Sequence, residues 1–148
     1  MPTTGTSDTA SSLTAAQQTE LNETIEHTRR HITRHQRNDA LKAITEGIAK
    51  FPQDKTLPSL MLDLIKQVQG DADRAHTAAL NAQANVKADA EFKRGDTNYE
   101  DGQEHKQKNQ GADAVRAFLA AEDHYLTATT RARQVADVNT GGSQQGQG

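Results

Sequence analysis

Three short triplets recur along the chain: Ala40, Ile44, Gly47; Ala75, Ala79, Ala82; and Ala114, Phe118, Ala121. In each, the second member stands four residues after the first and the third stands seven after it. On an α-helix these positions share one face. Small–larger–small on that face lets a neighbouring helix come close and seats one bigger side chain. The triplets begin 35 and then 39 residues apart, a period typical of stacked helix pairs. No stretch shows strand alternation bounded by turns, so the expected class is all-α, with about six helices.

The 148 residues suit one domain rather than two. Hydrophobic residues make up 33% and aromatics 3%, with no tryptophan. The core must therefore be built from Leu, Ile, Val and many alanines, which pack well only when helices lie close. A net charge of −3 argues against a surface that grips nucleic acid all over. Without cysteine there is neither a disulfide framework nor thiolate chemistry. No apolar run approaches the ~20 residues of a membrane-spanning helix, and the polar start, Met1 to Ser12, shows no signal segment. The expected location is the cytoplasm, or an exported state if a signal segment was removed.

Residues 1–12 and 139–148 are poor in apolar groups and are expected to be disordered tails around a helical repeat domain, 13–138. The first helix is expected from Ser12 or Leu13 to about Gln36, with Leu21, Ile25, Thr28 and Ile32 inward. The second starts at Asn38 or Asp39, buries Ala40, Leu41, Ile44, Ile48 and Phe51, and stops at Pro52. The third opens near Thr56 and Pro58 and ends at Gly70, with Asp71 capping an alanine-rich fourth that carries Ala75, Ala79, Ala82, Val86 and Ala90. A fifth is expected from about Tyr99 to Asn109, and a sixth from Ala112 to Val138 with Val115, Phe118, Tyr125, Ala132 and Val135 inward.

Paired in this way, the triplets fall on the second helix of each pair. The pattern resembles the tetratricopeptide repeat family, in which the second helix carries small–large–small and a proline follows. Ala40, Ile44, Gly47 and Pro52 match four positions; Gly70 with Ala75, Ala79 and Ala82 matches again, as does Gly102 with Ala114, Phe118 and Ala121. The chain departs from the family at Ala79 in the large position, at the missing later prolines, and at His105 where a tyrosine is usual. The resemblance implies antiparallel helix pairs stacked as a short right-handed solenoid, with a groove lined by the first helix of each pair. It implies a non-enzymatic module that binds a peptide or protein segment. The alternative is an alanine-rich helical bundle without true repeats.

On the repeat reading the groove residues are Asn22, Ile25, Arg29 and Ile32 from the first helix, and Tyr99, Gln103 and Lys106 from the fifth. Arg29 and Lys106 would offer charge to an acidic ligand. The stretch 27–37 also holds Arg29, Arg30, Arg34 and Arg37, which could meet phosphates or carboxylates; this defines an anion- or nucleic-acid-binding alternative. Glu20, Glu23 and Glu26 precede them, the order that the helix dipole favours. His27, His31 and His35 stand at four-residue intervals, and His27 with His31 is a weak metal pair. Asp96, Asn98, Glu100, Asp101 and Gly102 depart from calcium-loop spacing. Glu122, Asp123, His124 and Tyr125 fan to different helix faces. No nucleophile elbow or phosphate loop occurs, so neither catalysis nor a cofactor is expected. A further alternative is self-association through the long last helix.

Overall fold

The computed structural model describes residues 12–147, with side chains to 135. The described residues form six helices and no strand: α1 (Ala15–Thr33), α2 (Arg37–Lys50), α3 (Thr56–Asn81), α4 (Ala84–Lys87), α5 (Asp89–Gln107) and α6 (Gly111–Gln147). The all-α class follows. None of these helices is long and apolar enough to cross a membrane, among the described residues. The expected tail 1–12 lies outside the described residues except for Ser12, and the side chains of 139–148 lie outside them too. The chain divides between residues 64 and 65 into two compact units.

In the first unit, α1 starts at a capping box. Thr14 Oγ1 accepts from the Gln17 N–H at 3.0 Å, and Gln17 Oε1 accepts from the Thr14 N–H at 2.9 Å. Helix α1 ends at Thr33, three residues before the expected Gln36. His35 then takes a left-handed φ of 59°, and the Gln36 N–H reaches the His31 carbonyl at 2.8 Å. This is a Schellman turn, and it folds α2 back along α1. His31 Nδ1 and Gln36 Oε1, 2.7 Å apart, tie the turn from outside. At the other end of the hairpin Lys50 pairs with Glu20.

The same turn recurs in the second unit. Asn109 has φ 59°, the Gln110 N–H reaches the His105 carbonyl at 2.9 Å, and His105 Nδ1 lies 2.6 Å from Gln110 Oε1. His31, Gln36, Asp39 and Ala40 correspond to His105, Gln110, Asp113 and Ala114, each 74 residues on. The first and last triplets therefore follow matching turns, and Ala40, Ile44, Gly47, Ala114, Phe118 and Ala121 are all buried.

The middle triplet has no such turn. Helix α3 runs unbroken for 26 residues through Gly70, so Gly70 ends no helix and Asp71, which pairs with Arg74, caps none. Leu57, Met61, Leu64, Val68, Ala72, Ala75 and Ala79 are buried at three- and four-residue steps straight across the glycine. A glycine costs a helix interior only about 1 kcal/mol, less than breaking that continuous stripe. The expected third and fourth helices are thus one. The break comes at Gln83, with a left-handed φ of 61°. Val86, on α4, is 76% exposed, and Ala90 is exposed as well. Val135, expected inward, is also exposed.

Helix α5 begins at Asp89, ten residues before the expected Tyr99, and passes through Gly95 and Gly102. These glycines seat rings of α6 rather than forming turns. A Cβ on Gly95 would lie 2.6 Å from the Tyr125 ring, and one on Gly102 would lie 2.7 Å from the Phe118 ring. Gly47 plays the same part in the first unit, where a Cβ would lie 2.8 Å from Leu57. Tyr125, Phe92 and the alanines 72, 75, 79, 84, 121, 128 and 132 share one core in the second unit.

Candidate functional site

The second unit carries a concave site of about 320 Å3 lined by Asp73, His76, Asp96, Tyr99, Glu100, Gln103 and Tyr125. Three helices build it by ordinary periodicity. Helix α3 supplies Asp73 and His76, α5 supplies Asp96, Tyr99, Glu100 and Gln103, and α6 supplies Tyr125.

The glycine seats position the phenols. Because Gly95 lacks a Cβ, the Tyr125 ring lies against α5 and its hydroxyl donates to Asp96 Oδ1 at 2.5 Å. Phe118, seated on Gly102, meets Tyr99 edge-on with centroids 5.2 Å apart. The His76 ring meets Tyr125 edge-on at 5.0 Å, and its Nε2 lies 3.9 Å from Asp96 Oδ1. Gln69 Nε2 donates to the Tyr99 hydroxyl at 3.1 Å, and Lys106 Nζ donates to Gln69 Oε1 at 3.1 Å.

Burial pushes the Tyr125 phenol far above its ordinary value, and its bond to Asp96 pushes it the same way. Burial also raises Tyr99, with a hydrogen bond to Asp73 adding to the rise and Gln69 opposing it. Both phenols are neutral at physiological pH, and Tyr125 directs its proton at a carboxylate.

A second polar cluster closes the far end of the α5–α6 hairpin. Glu91, buried near the start of α5, accepts from Arg94 at 2.9 Å and Arg131 at 3.3 Å, and lies 2.8 Å from His124 Nδ1. The His124 hydrogen bond holds this carboxyl below its ordinary value of 4.5; burial opposes it, and the charges of Arg131, His124 and Arg94 assist. A carboxyl held low stabilises the fold above its ordinary value, and that stability is lost as pH falls through the lower folded value. Glu91→Gln should therefore melt below the parent near pH ~6 and lose less on acidification toward pH ~3. Melting curves followed by circular dichroism check this; equal acid sensitivity in both proteins would contradict it.

Of the residues expected to line a groove, Tyr99 and Gln103 do line the pocket, and Lys106 braces it through Gln69. Asn22, Ile25, Arg29 and Ile32 belong to the first unit. There Asn22 accepts from Gln18, Ile25 and Ile32 are half-buried, and Arg29 pairs with Glu26 at 3.6 Å. The charge around Tyr99 and Gln103 is negative, from Asp73, Asp96 and Glu100, and an acidic ligand does not suit it. Those carboxylates come from two helices, so no spacing along one segment could announce them.

The basic stretch is divided as well. Arg29 and Arg30 lie on α1, Arg34 caps its end, and Arg37 opens α2. His35 stands in the turn, off the helix that carries His27 and His31. His31 is bonded to Gln36, and Arg30 Nη2 lies 3.5 Å from His27 Nδ1. Among the described residues no three His, Cys, Asp or Glu side chains are arranged to hold a metal ion. Sequence reasoning missed Asp73, His76 and Glu91, and met Asp96 only in a segment that departs from calcium-loop spacing. The three- and four-residue steps of α3 and α5 were the one available signal for Asp73, His76 and Asp96; Glu91 had none. No family model, curated protein or solved structure matches the chain.

Proposed function

We propose that the chain is a non-enzymatic interaction module that docks a segment of a partner protein over the pocket of its second unit. The carrying observation is the pocket itself, concave and lined by polar groups from three helices. Its lining includes no serine, threonine or cysteine to act as a nucleophile beside His76, and the Tyr125 proton is held by Asp96. That supports binding over catalysis. The two matched hairpins, each with a buried small–large–small triplet, support the tetratricopeptide-like reading for the first and last pairs.

Selection of peptides by display on the intact chain tests this. Gln103→Trp places a bulky side chain at an exposed position of the pocket wall without entering the core. Selected peptides should lose about tenfold or more in affinity for this variant while its melting curve stays unchanged. Peptides that bind both proteins equally would refute docking at this site.

A further inference from the structure

We infer that the pocket seats the guanidinium of an arginine side chain carried by the docked segment, against the half-buried ring of Tyr99. This rests on the reading of the chain as an interaction module and names what that module recognises.

The charge of the wall decides the sign of the ligand. Tyr125 gives its proton to Asp96 at 2.5 Å, Gln69 donates to the Tyr99 hydroxyl at 3.1 Å, and Lys106 is bonded to Gln69. The carboxylates of Asp73, Asp96 and Glu100 face the pocket, and the side-chain carbonyl of Gln103 adds a further acceptor. A phosphate or carboxylate would meet like charge. A cation rich in N–H groups meets the opposite charge and the right hydrogen-bond sense.

The shape and the aromatic content decide the kind of cation. About 320 Å3 admits a side chain and not a helix. Two neutral phenols and an imidazole form part of the wall. Ring faces favour a cation that can give up water, and a planar guanidinium is less tightly hydrated than an ammonium and stacks on such faces. It also carries five N–H donors in a fixed fork, against three on an ammonium. With carboxylates approaching from α3 and α5, the fork can be satisfied from two sides.

The chain supplies its own reporter. It has two tyrosines and no tryptophan, and both tyrosines line this pocket. Intrinsic tyrosine emission is therefore a readout of the site. The probes are a short Gly-Ser peptide with one central arginine, the same peptide with lysine or citrulline, and free arginine. The arginine peptide should change the emission saturably. The lysine peptide should bind about tenfold more weakly, and the uncharged citrulline peptide should leave the emission unchanged. Glu100→Gln and Asp73→Asn, both at exposed positions, should each weaken the arginine peptide several-fold with unchanged melting.

Equal response to arginine and lysine, or to citrulline, would overturn the assignment. Free arginine binding as tightly as the peptide would overturn the part that places it in a protein segment. Display-selected peptides that need an open Gln103 face but lack arginine would defeat this inference and leave the docking reading standing. Failure to select any peptide sensitive to Gln103→Trp would defeat the docking reading itself.

Discussion

Gly102→Val is expected to destabilise the second unit by about 2–3 kcal/mol, and its melting temperature should fall by on the order of 10 °C. Gly102 is buried within α5, and even a methyl at its Cβ position would stand 2.7 Å from the Phe118 ring. That ring is fully buried and held edge-on by Tyr99, so it has nowhere to move. Valine is the better helix former by a few tenths of a kcal/mol, too little to offset the overlap. The partner substitution gives a sharper test. Phe118→Ala alone should cost about 3–5 kcal/mol by leaving a cavity. With both changes present the valine fills part of that cavity, so the double variant should be at least about 1 kcal/mol more stable than the sum of the single losses. Strict additivity in denaturant titrations would show that the ring contact is not why position 102 needs glycine.

Tyr125 should make the second unit alkali-sensitive. Its phenol, 2% exposed and bonded to Asp96, titrates well above the ordinary value of 10. A folded-state pKa above the unfolded one gives stability that is complete below pH 10 and lost as pH rises beyond it. The loss approaches ~1.4 kcal/mol per pH unit for one such group. Tyr125→Phe keeps the ring on Gly95 and removes the titrating group. It should be less stable by about 1–2 kcal/mol near neutrality, where the bond to a carboxylate is lost. Its stability should then fall less steeply above pH 10, so that the two curves converge; Tyr99, also raised, leaves a remnant slope. Parallel curves from neutral to alkaline pH would rule out Tyr125 as the source.

Both predictions turn on glycines that read as interruptions along the chain. Gly95 and Gly102, in a polar stretch, argue for a broken segment and for a helix beginning only at Tyr99. They are instead the places where rings from α6 lie against the backbone of α5. Gly70, by contrast, reads as a helix end, and a Cβ there would meet nothing nearer than Arg74 at 3.6 Å. It is one tolerated residue in an apolar stripe that keeps its phase from Leu57 to Ala79. The stripe was legible, and following its phase across the glycine would have joined the two expected helices. Of the site, Tyr99 and Gln103 entered the sequence reading only through the repeat resemblance, which set them in a groove. The sign of the charge around them was not legible, because Asp73 and Asp96 become neighbours only when α3 packs on α5.

What the amino-acid order determined alone was local. Apolar residues at three- and four-residue steps made the chain all-helical, and Thr14 with Gln17 started α1. The shared pattern of His, Gln, Asp and Ala, 74 residues apart, accompanies two hairpin turns of one design. These signals suffice because each is satisfied by partners within about one or two helical turns. Only the tertiary structure decided which glycine is merely tolerated within a helix and which receives a ring, and which carboxylates gather around the two tyrosines. Those outcomes depend on side chains some 16 to 52 residues apart, from Gly102–Phe118 to Asp73–Tyr125, and helical periodicity carries no information over that distance.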